Sequence, residues 1–150
     1  MVHPEMIDKT VRALIQDPTI QISNGYAKIK TKQEFEDPNE VKVVIDRESF
    51  AIYFSREPIP SGKKWDQEIP MYKQVCIIPF RREYLLKYNG LKQTTLEQIE
   101  SIDMLRILEH GEKIKMVEVF HDSLSVDTEG DLRRVIKLME KDPLIDTYSN

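Results

Sequence analysis

An α/β fold with mixed strand directions is what this 150-residue sequence predicts. The first ground is alternation: segments rich in β-branched and aromatic residues take turns with segments of helical periodicity. The second is a hairpin within that alternation, for Val41 to Ile45 and Phe50 to Phe54 read as strands joined by the turn-forming Asp46-Arg47-Glu48-Ser49, and a short turn makes its two strands antiparallel. The third is composition. With 40% hydrophobic and 8% aromatic residues, and no repeat, low-complexity tract or Gly/Ser linker, residues 1–150 read as a single domain able to bury a core.

Met6, Ile7, Val11, Leu14 and Ile15 recur at helical spacing from about residue 4 to 17, with Pro4 suited to a first turn and Asp17-Pro18 to a stop. Ile20 to Ile29 alternates as a strand, and Gln33 to Asp37 forms a helical turn ahead of Pro38-Asn39. After the hairpin, prolines and Ser61-Gly62 break any periodicity from Glu57 to Pro70, which predicts a long loop with Trp65 as its anchor. Tyr72 to Phe80 reads as a buried strand whose Pro79 requires an edge, a bulge or a strand end. Arg82 to Tyr88 is a short helix ending at Asn89-Gly90. Thr94-Thr95-Leu96-Glu97 then fits a capping box opening one helix with a stripe of Leu96, Ile99, Ile102, Leu105 and Leu108, closed by His110-Gly111. Ile114 to Val119 is a last strand, and Thr128 caps a final helix with Leu132, Val135, Ile136 and Leu138 or Met139 on its apolar face.

The net charge of −4 and pI near 5.5 argue against nucleic acid as a partner, since Lys and Arg are interspersed with acids rather than gathered. No apolar run approaches the roughly 20 residues that span a bilayer, and no leader-like segment opens the chain, so a cytoplasmic protein without a membrane partner is expected. Cys76, the sole cysteine, lies in the apolar run Val75-Cys76-Ile77-Ile78 and is expected in the core. The three histidines lack metal-ligand spacing and read as structural, and Glu34, Glu36 and Asp37 read as a solvated acidic face.

Four blocks carry chemistry. Val126-Asp127-Thr128-Glu129-Gly130-Asp131-Leu132 puts a carboxylate just ahead of a capped helix, where it either favours the positive helix end or reaches a cation or phosphate. Tyr53-Phe54-Ser55-Arg56 ends in a guanidinium able to fork onto a carboxylate, or to sit on the surface. Leu96-Glu97-Gln98-Ile99-Glu100 offers a carboxylate and an amide that suit a polyol, although Glu97 is also the N3 residue of the capping box. Pro38-Asn39-Glu40-Val41-Lys42-Val43-Val44-Ile45-Asp46 precedes them in order.

In this order the blocks resemble the second half of the cytidylyltransferases that activate 3-deoxy-manno-octulosonate (Kdo) and related ulosonic acids, the CMP-sugar synthetases. The resemblance implies the C-terminal part of a Rossmann-like nucleotidyltransferase sheet, and transfer of CMP from CTP to a 3-deoxy-ulosonic acid with release of pyrophosphate. It implies Mg2+ as cofactor, with Asp127 as one metal ligand, and Arg56, Gln74, Glu97 and Gln98 as contacts to the sugar acid. The strand block Gln74-Val75-Cys76-Ile77-Ile78-Pro79-Phe80-Arg81 stands where Kdo enzymes tend to read His-Leu-Gly-Ile-Tyr-Gly-Tyr-Arg, so Gln74 and Ile78 replace a His and a Tyr; an ulosonic acid other than Kdo fits that change better. The family's nucleotide-cradling loop and first magnesium aspartate would lie ahead of the matched segment, which implies a chain inactive alone and a homodimer, or else a truncated, non-catalytic interaction module. A sheet cut in half is expected to bare an edge, and hence to dimerise or to be marginally stable.

Overall fold

The computed structural model describes residues 2–64, 66, 68–120, 126, 128–142 and 144. Among them the elements are α1 (Pro4–Gln16), β1 (Ser23–Lys28), α2 (Lys32–Glu36), β2 (Lys42–Ile45), β3 (Ala51–Ser55), β4 (Tyr72–Val75), α3 (Arg82–Asn89), α4 (Thr95–Glu100), α5 (Met104–Glu109), β5 (Lys115–Glu118) and α6 (Glu129–Met139). The strands form one sheet in the order β3-β2-β4-β1-β5, in which β1 and β5 are parallel and the other pairs antiparallel. This is the mixed α/β architecture expected. No helix among the described residues is long and apolar enough to cross a membrane.

Helix α1 starts where proline costs nothing, at its first position, with the His3 ring nitrogen accepting from the Glu5 amide at 3.3 Å. The side chains it buries are Met6, Thr10 and Leu14, whereas Ile15 is 74% exposed and Ile7 is also outside the core. The expected apolar stripe is therefore rotated toward Thr10. Its hydroxyl returns to the Met6 and Ile7 carbonyls, and its own carbonyl accepts from the Ser23 hydroxyl of β1 at 2.8 Å. Arg81 closes the other end of the helix, donating to the carbonyls of Leu14, Asp17 and Ile20, where a cation suits the negative end of the dipole.

The hairpin turn is built on Asp46, whose carboxylate accepts from the amides of Glu48 and Phe50 at 2.9 and 2.8 Å, while Ser49 takes a left-handed conformation at φ 63°. That tip reaches the far side of the sheet. Ala51 donates to the Ile114 carbonyl at 3.0 Å, Met116 donates to Ser49 at 2.7 Å, and Phe50 bridges Lys115 antiparallel. The sheet thus curls until its two outer strands meet at one end.

Strand β4 is shorter than the predicted Tyr72 to Phe80. It ends at Val75, where the Ile77 amide folds back onto the Val75 carbonyl, and the following residues track the β1 segment irregularly, through Gly25 to Ile77, Ser23 to Pro79, an isolated bridge between Ile22 and Phe80, and Arg81 to Gln21. Pro79 uses its carbonyl alone, so it is tolerated as a residue beyond a strand end. The same turn carries Cys76 out of the core, and its thiol is exposed rather than buried.

The expected single helix from Thr95 to Glu109 is two. Ser101 adopts φ 53° and ψ 50°, the Ile102 amide closes onto the Glu97 carbonyl, and α5 restarts at Met104 in a new direction. Ile99 is left 72% exposed, while Ile102, Met104, Leu105 and Ile107 enter the main core with Ile22, Val43, Phe54, Ile114 and Met116. Gly111, at φ 77°, ends α5 in a conformation that a side chain would strain. A smaller cluster of Met6, Val75, Ile77 and Val119 lies under α1.

Two lysines stitch α2 to the sheet. Lys42 and Lys73 face each other across β2 and β4; the fully buried Lys42 ammonium donates to the Asp37 carbonyl at 2.7 Å, and Lys73 bridges Glu34 at 2.7 Å and Glu40 at 3.0 Å. Burial pushes the Lys42 ammonium below its ordinary range. At Lys73 burial acts the same way, but the two carboxylates outweigh it and hold the ammonium above that range. The acidic segment read as a solvated face is in part this bridge.

Tyr84, in the core, has a hydroxyl that is buried and unpartnered, and burial, with Glu112 and Tyr88 nearby, pushes its pKa up to about 12. Tyr84→Phe removes that unsatisfied group and keeps the ring, so the urea midpoint is expected to rise, by about 1 kcal/mol in unfolding free energy. A lower midpoint would show that the hydroxyl has a stabilising role.

Candidate functional site

Arg56, at the end of β3, is held against the C-terminal end of α4. Its Nε donates to the Glu100 carbonyl at 2.8 Å, and its two terminal nitrogens donate to Pro38 at 2.9 Å and Ser101 at 3.2 Å. The backbone reciprocates: the Glu100 carboxylate accepts from the Arg56 amide at 2.9 Å, the Ser55 hydroxyl at 2.8 Å and the Tyr53 hydroxyl at 3.3 Å. Burial, then the neighbouring Glu100, raise the Tyr53 phenol above its ordinary pKa. Glu100 is thus the hub that fastens the hairpin to α4, and sequence reasoning gave it no role. The signal was present in the alternation of Tyr53 and Ser55, which places two hydroxyls on one side of a strand.

Glu97 lies 4% exposed at the start of α4. Both of its oxygens accept from Arg106, Nε at 2.7 Å and Nη2 at the other oxygen, and one also accepts the Thr94 amide at 3.2 Å. The Arg106 hydrogen bonds hold the Glu97 carboxylate below the usual range against the opposing effect of burial, and Glu97 in turn raises Arg106. The expected capping box of Thr94 and Glu97 opens α4. The Glu97 amide also reaches the Glu109 carboxylate at 3.3 Å, which takes the Leu96 amide at 3.0 Å as well. Arg106 also lies 4.9 Å from the Tyr88 ring, in cation–π range.

Gln98 is exposed and its amide reaches Gln93 at 3.4 Å. Gln74, on β4, donates to the side-chain oxygen of Asn24 at 2.6 Å. Asn24 is wholly buried on β1 and was not singled out from the sequence. The structure therefore gathers Arg56, Glu97 and Gln98 on and against α4, and ties Gln74 to β1 instead. Asp127 lies outside the described residues, as do Trp65 and His121. Thr128 does cap α6, with its hydroxyl accepting from the Asp131 amide at 3.2 Å and its amide donating to the Asp131 carboxylate at 3.0 Å. No group of three or more His, Cys, Asp or Glu able to hold a metal occurs among the described residues.

A mixed sheet packed by α1 on one side and by the α3 to α5 layer on the other, with polar side chains gathered at the α4 end, defines an α/β protein whose site sits between a hairpin and a helix. The sequence profile described as Cytidylyltransferase matches residues 1–114, and the chain belongs to that family. It is similar to the 3-deoxy-manno-octulosonate cytidylyltransferase of Geotalea uraniireducens (strain Rf4), 37% identical over 151 residues that cover 94% of this chain and 60% of that protein. The enzyme of the same description from Syntrophus aciditrophicus (strain SB) is 40% identical over 133 residues, covering 89% of this chain and 54% of the relative. Among solved structures, that of a CMP:2-keto-3-deoxy-manno-octonic acid synthetase complexed with CTP superposes at a TM-score of 0.87 with 31% identity, over 94% of this chain and 58% of that one. The chain thus spans about 60% of the length of the first of these relatives.

Proposed function

We propose that this chain serves in a cytidylyltransferase that moves CMP from CTP onto a 3-deoxy-ulosonic acid and releases pyrophosphate, and that it supplies the sugar-acid side of the site. The observation that carries the reading is its likeness, over nearly the whole chain, to a synthetase solved with CTP. In such a transfer the anomeric oxygen of the sugar attacks the α-phosphorus in line, and catalysis consists of positioning and of neutralising phosphate charge. Magnesium, when bound, would supply that neutralisation, and Asp127 is the one ligand proposed for it here. The residues of the chain itself bind and orient: α4 and the β3 end present Gln98 and Arg56 from a frame held rigid by Glu100 and by the Glu97–Arg106 pair. The matched relatives extend beyond this chain, and the proposal places the nucleotide pocket in that further part, this chain being the C-terminal portion of a cytoplasmic homodimer.

The test is pyrophosphate release from CTP in the presence of Kdo and, separately, of other 3-deoxy-ulosonic acids. None is expected from residues 1–150 alone; release is expected when the chain is joined to the nucleotide-binding part of a relative, and Asp127→Asn is expected to remove it. Release by residues 1–150 alone would refute the assignment of the pocket, and full activity of the Asp127→Asn variant would refute the metal role.

A second reading, a non-catalytic interaction module, is favoured by one feature: Arg56, Gln74 and Glu97 all have hydrogen-bond partners within the chain. Failure of the joined protein to release pyrophosphate, with a dimer in light scattering, would select it.

A further inference from the structure

We infer that the outward faces of α1 and α6 seat the further part that this chain's cytidylyltransferase relatives possess, the part to which the nucleotide pocket is assigned above, so that both helices lie inside the complete protein. The inference rests on that reading of the chain as one portion of a longer enzyme. It starts from α6, where Leu132, Val135, Ile136 and Met139 recur at three- and four-residue spacing and make one apolar stripe along eleven residues. Yet no side chain of the helix is buried, and Leu132 and Ile136 are 46% and 49% exposed. The box of Thr128 and Asp131 satisfies amides at the helix start but covers no apolar surface. A helix of this length is marginal in water on propensity alone, and Gly130 in its first turn lowers that propensity further. Its stability has to come from packing of the stripe, and nothing among the described residues buries it.

Helix α1 repeats the pattern on its outer side. It buries Met6, Thr10 and Leu14, while Ile7, Val11 and Ile15 form a second stripe four residues apart, half-buried at Val11 and open at both ends. Two ordered stripes of this kind differ from the single scattered apolar residues of a finished surface, and mark a place where another surface packs.

The occupant follows from the relatives. The synthetase structure solved with CTP aligns with 94% of this chain, a share too large to leave out either helix whole, while the chain covers only 58% of that protein. There the further part is carried on the same polypeptide as the two helices, and tethering gives it an effective concentration in roughly the millimolar range, which a second copy of the chain does not reach. Charge agrees with a protein occupant. Arg133, Arg134 and Lys137 stand among Glu129, Asp131 and the capping Glu140, without the basic surplus by which an amphipathic helix lies on an anionic membrane.

The test is hydrogen exchange, followed by mass spectrometry, in residues 1–150 and in the same chain joined to the nucleotide-binding part of a relative. The α6 amides are expected to exchange freely in the chain alone and about a hundredfold more slowly in the joined protein. Ile136→Glu is expected to remove most of that protection and to lower the urea midpoint of the joined protein, while leaving the midpoint of residues 1–150 nearly unchanged, since Ile136 packs in neither core cluster. Ile15→Glu on α1 is expected to lower the joined protein's midpoint in the same selective way, and it decides should the Ile136→Glu protein not fold. Ile52→Glu, at a comparably exposed position on β3, is the control and is expected to change the two proteins alike. Unprotected α6 in the joined protein would overturn the inference, and pyrophosphate release by that same protein would show that the catalytic reading survives it. Protected α6 without pyrophosphate release would uphold the seating and overturn the catalytic reading. Protection of α6 already in residues 1–150, rising with concentration alongside a dimer in light scattering, would overturn the inference in favour of a second copy.

Discussion

Arg106→Ala is expected to lower the unfolding free energy by about 3–5 kcal/mol, because it strands a buried carboxylate. The Glu97 and Arg106 side chains are only 5% and 15% exposed, and the guanidinium engages both carboxylate oxygens. With Arg106 gone, Glu97 retains the Thr94 amide and little else, and it must either take up a proton or draw in water. Urea unfolding followed by far-ultraviolet circular dichroism measures the loss. The pair itself is a different matter, since two apolar residues of similar volume can replace a buried ion pair at little cost. The double replacement Glu97→Met with Arg106→Met is therefore expected to recover most of the lost stability; recovery of none would show that the pair does more than satisfy itself. The pH dependence has a definite sign. Glu97 is held below its unfolded pKa, so the folded state releases its proton more readily. The stability it contributes is complete above the unfolded carboxylate pKa and is lost as pH falls through the lower, folded one. The Arg106→Ala variant is expected to lack that part of the acid-side decline.

Phe54→Ala is expected to cost about 3–5 kcal/mol, the range for removing a buried aromatic side chain and leaving a cavity. Phe54 has no exposed surface, faces Val43 across the hairpin and packs in the cluster formed with Leu105, Ile107 and Ile114. Its position makes collapse into the cavity difficult, because the strand is held on one side by β2 and at its end by the Glu100 bonds to Tyr53, Ser55 and Arg56. Phe54→Leu should lose markedly less. Equal losses in the two variants, read from urea midpoints at unchanged slope, would mean that the cavity is not the cause.

The hairpin, α1 and the final helix were legible in the sequence because each rests on local chemistry: Asp46 makes its own turn, Pro4 starts a helix, and Thr128 with Asp131 closes a box. The failures are tertiary. Nothing in a periodic stripe from Leu96 to Leu108 distinguishes one helix from two, and the break comes from Ser101 accepting a left-handed conformation so that Ile102 and Leu105 can reach a core which the straight helix would miss. Because of that break, residues nine apart, Glu97 and Arg106, become a bidentate pair that no helical spacing announces. The candidate site was found in part for the same reason. Arg56, Gln74, Glu97 and Gln98 stood out by type and order, whereas Asn24 and Glu100, which hold two of them, are ordinary polar residues until strand pairing and helix packing bring them to their partners.

The meeting of the hairpin tip with β5 also bears on how the chain folds. The turn at Asp46 closes within a few residues and is available early, but its contact with β5 joins groups far apart along the chain, as in the Lys115 ammonium on the Glu48 carbonyl, 67 positions away. Such a contact yields its free energy only after the intervening chain has been ordered, so the entropy of loop closure falls on the last step. The Ala51 and Met116 amides, whose acceptors are Ile114 and Ser49, are consequently shielded from solvent later than the amides within the hairpin, and they are the natural clock for completion of the native sheet.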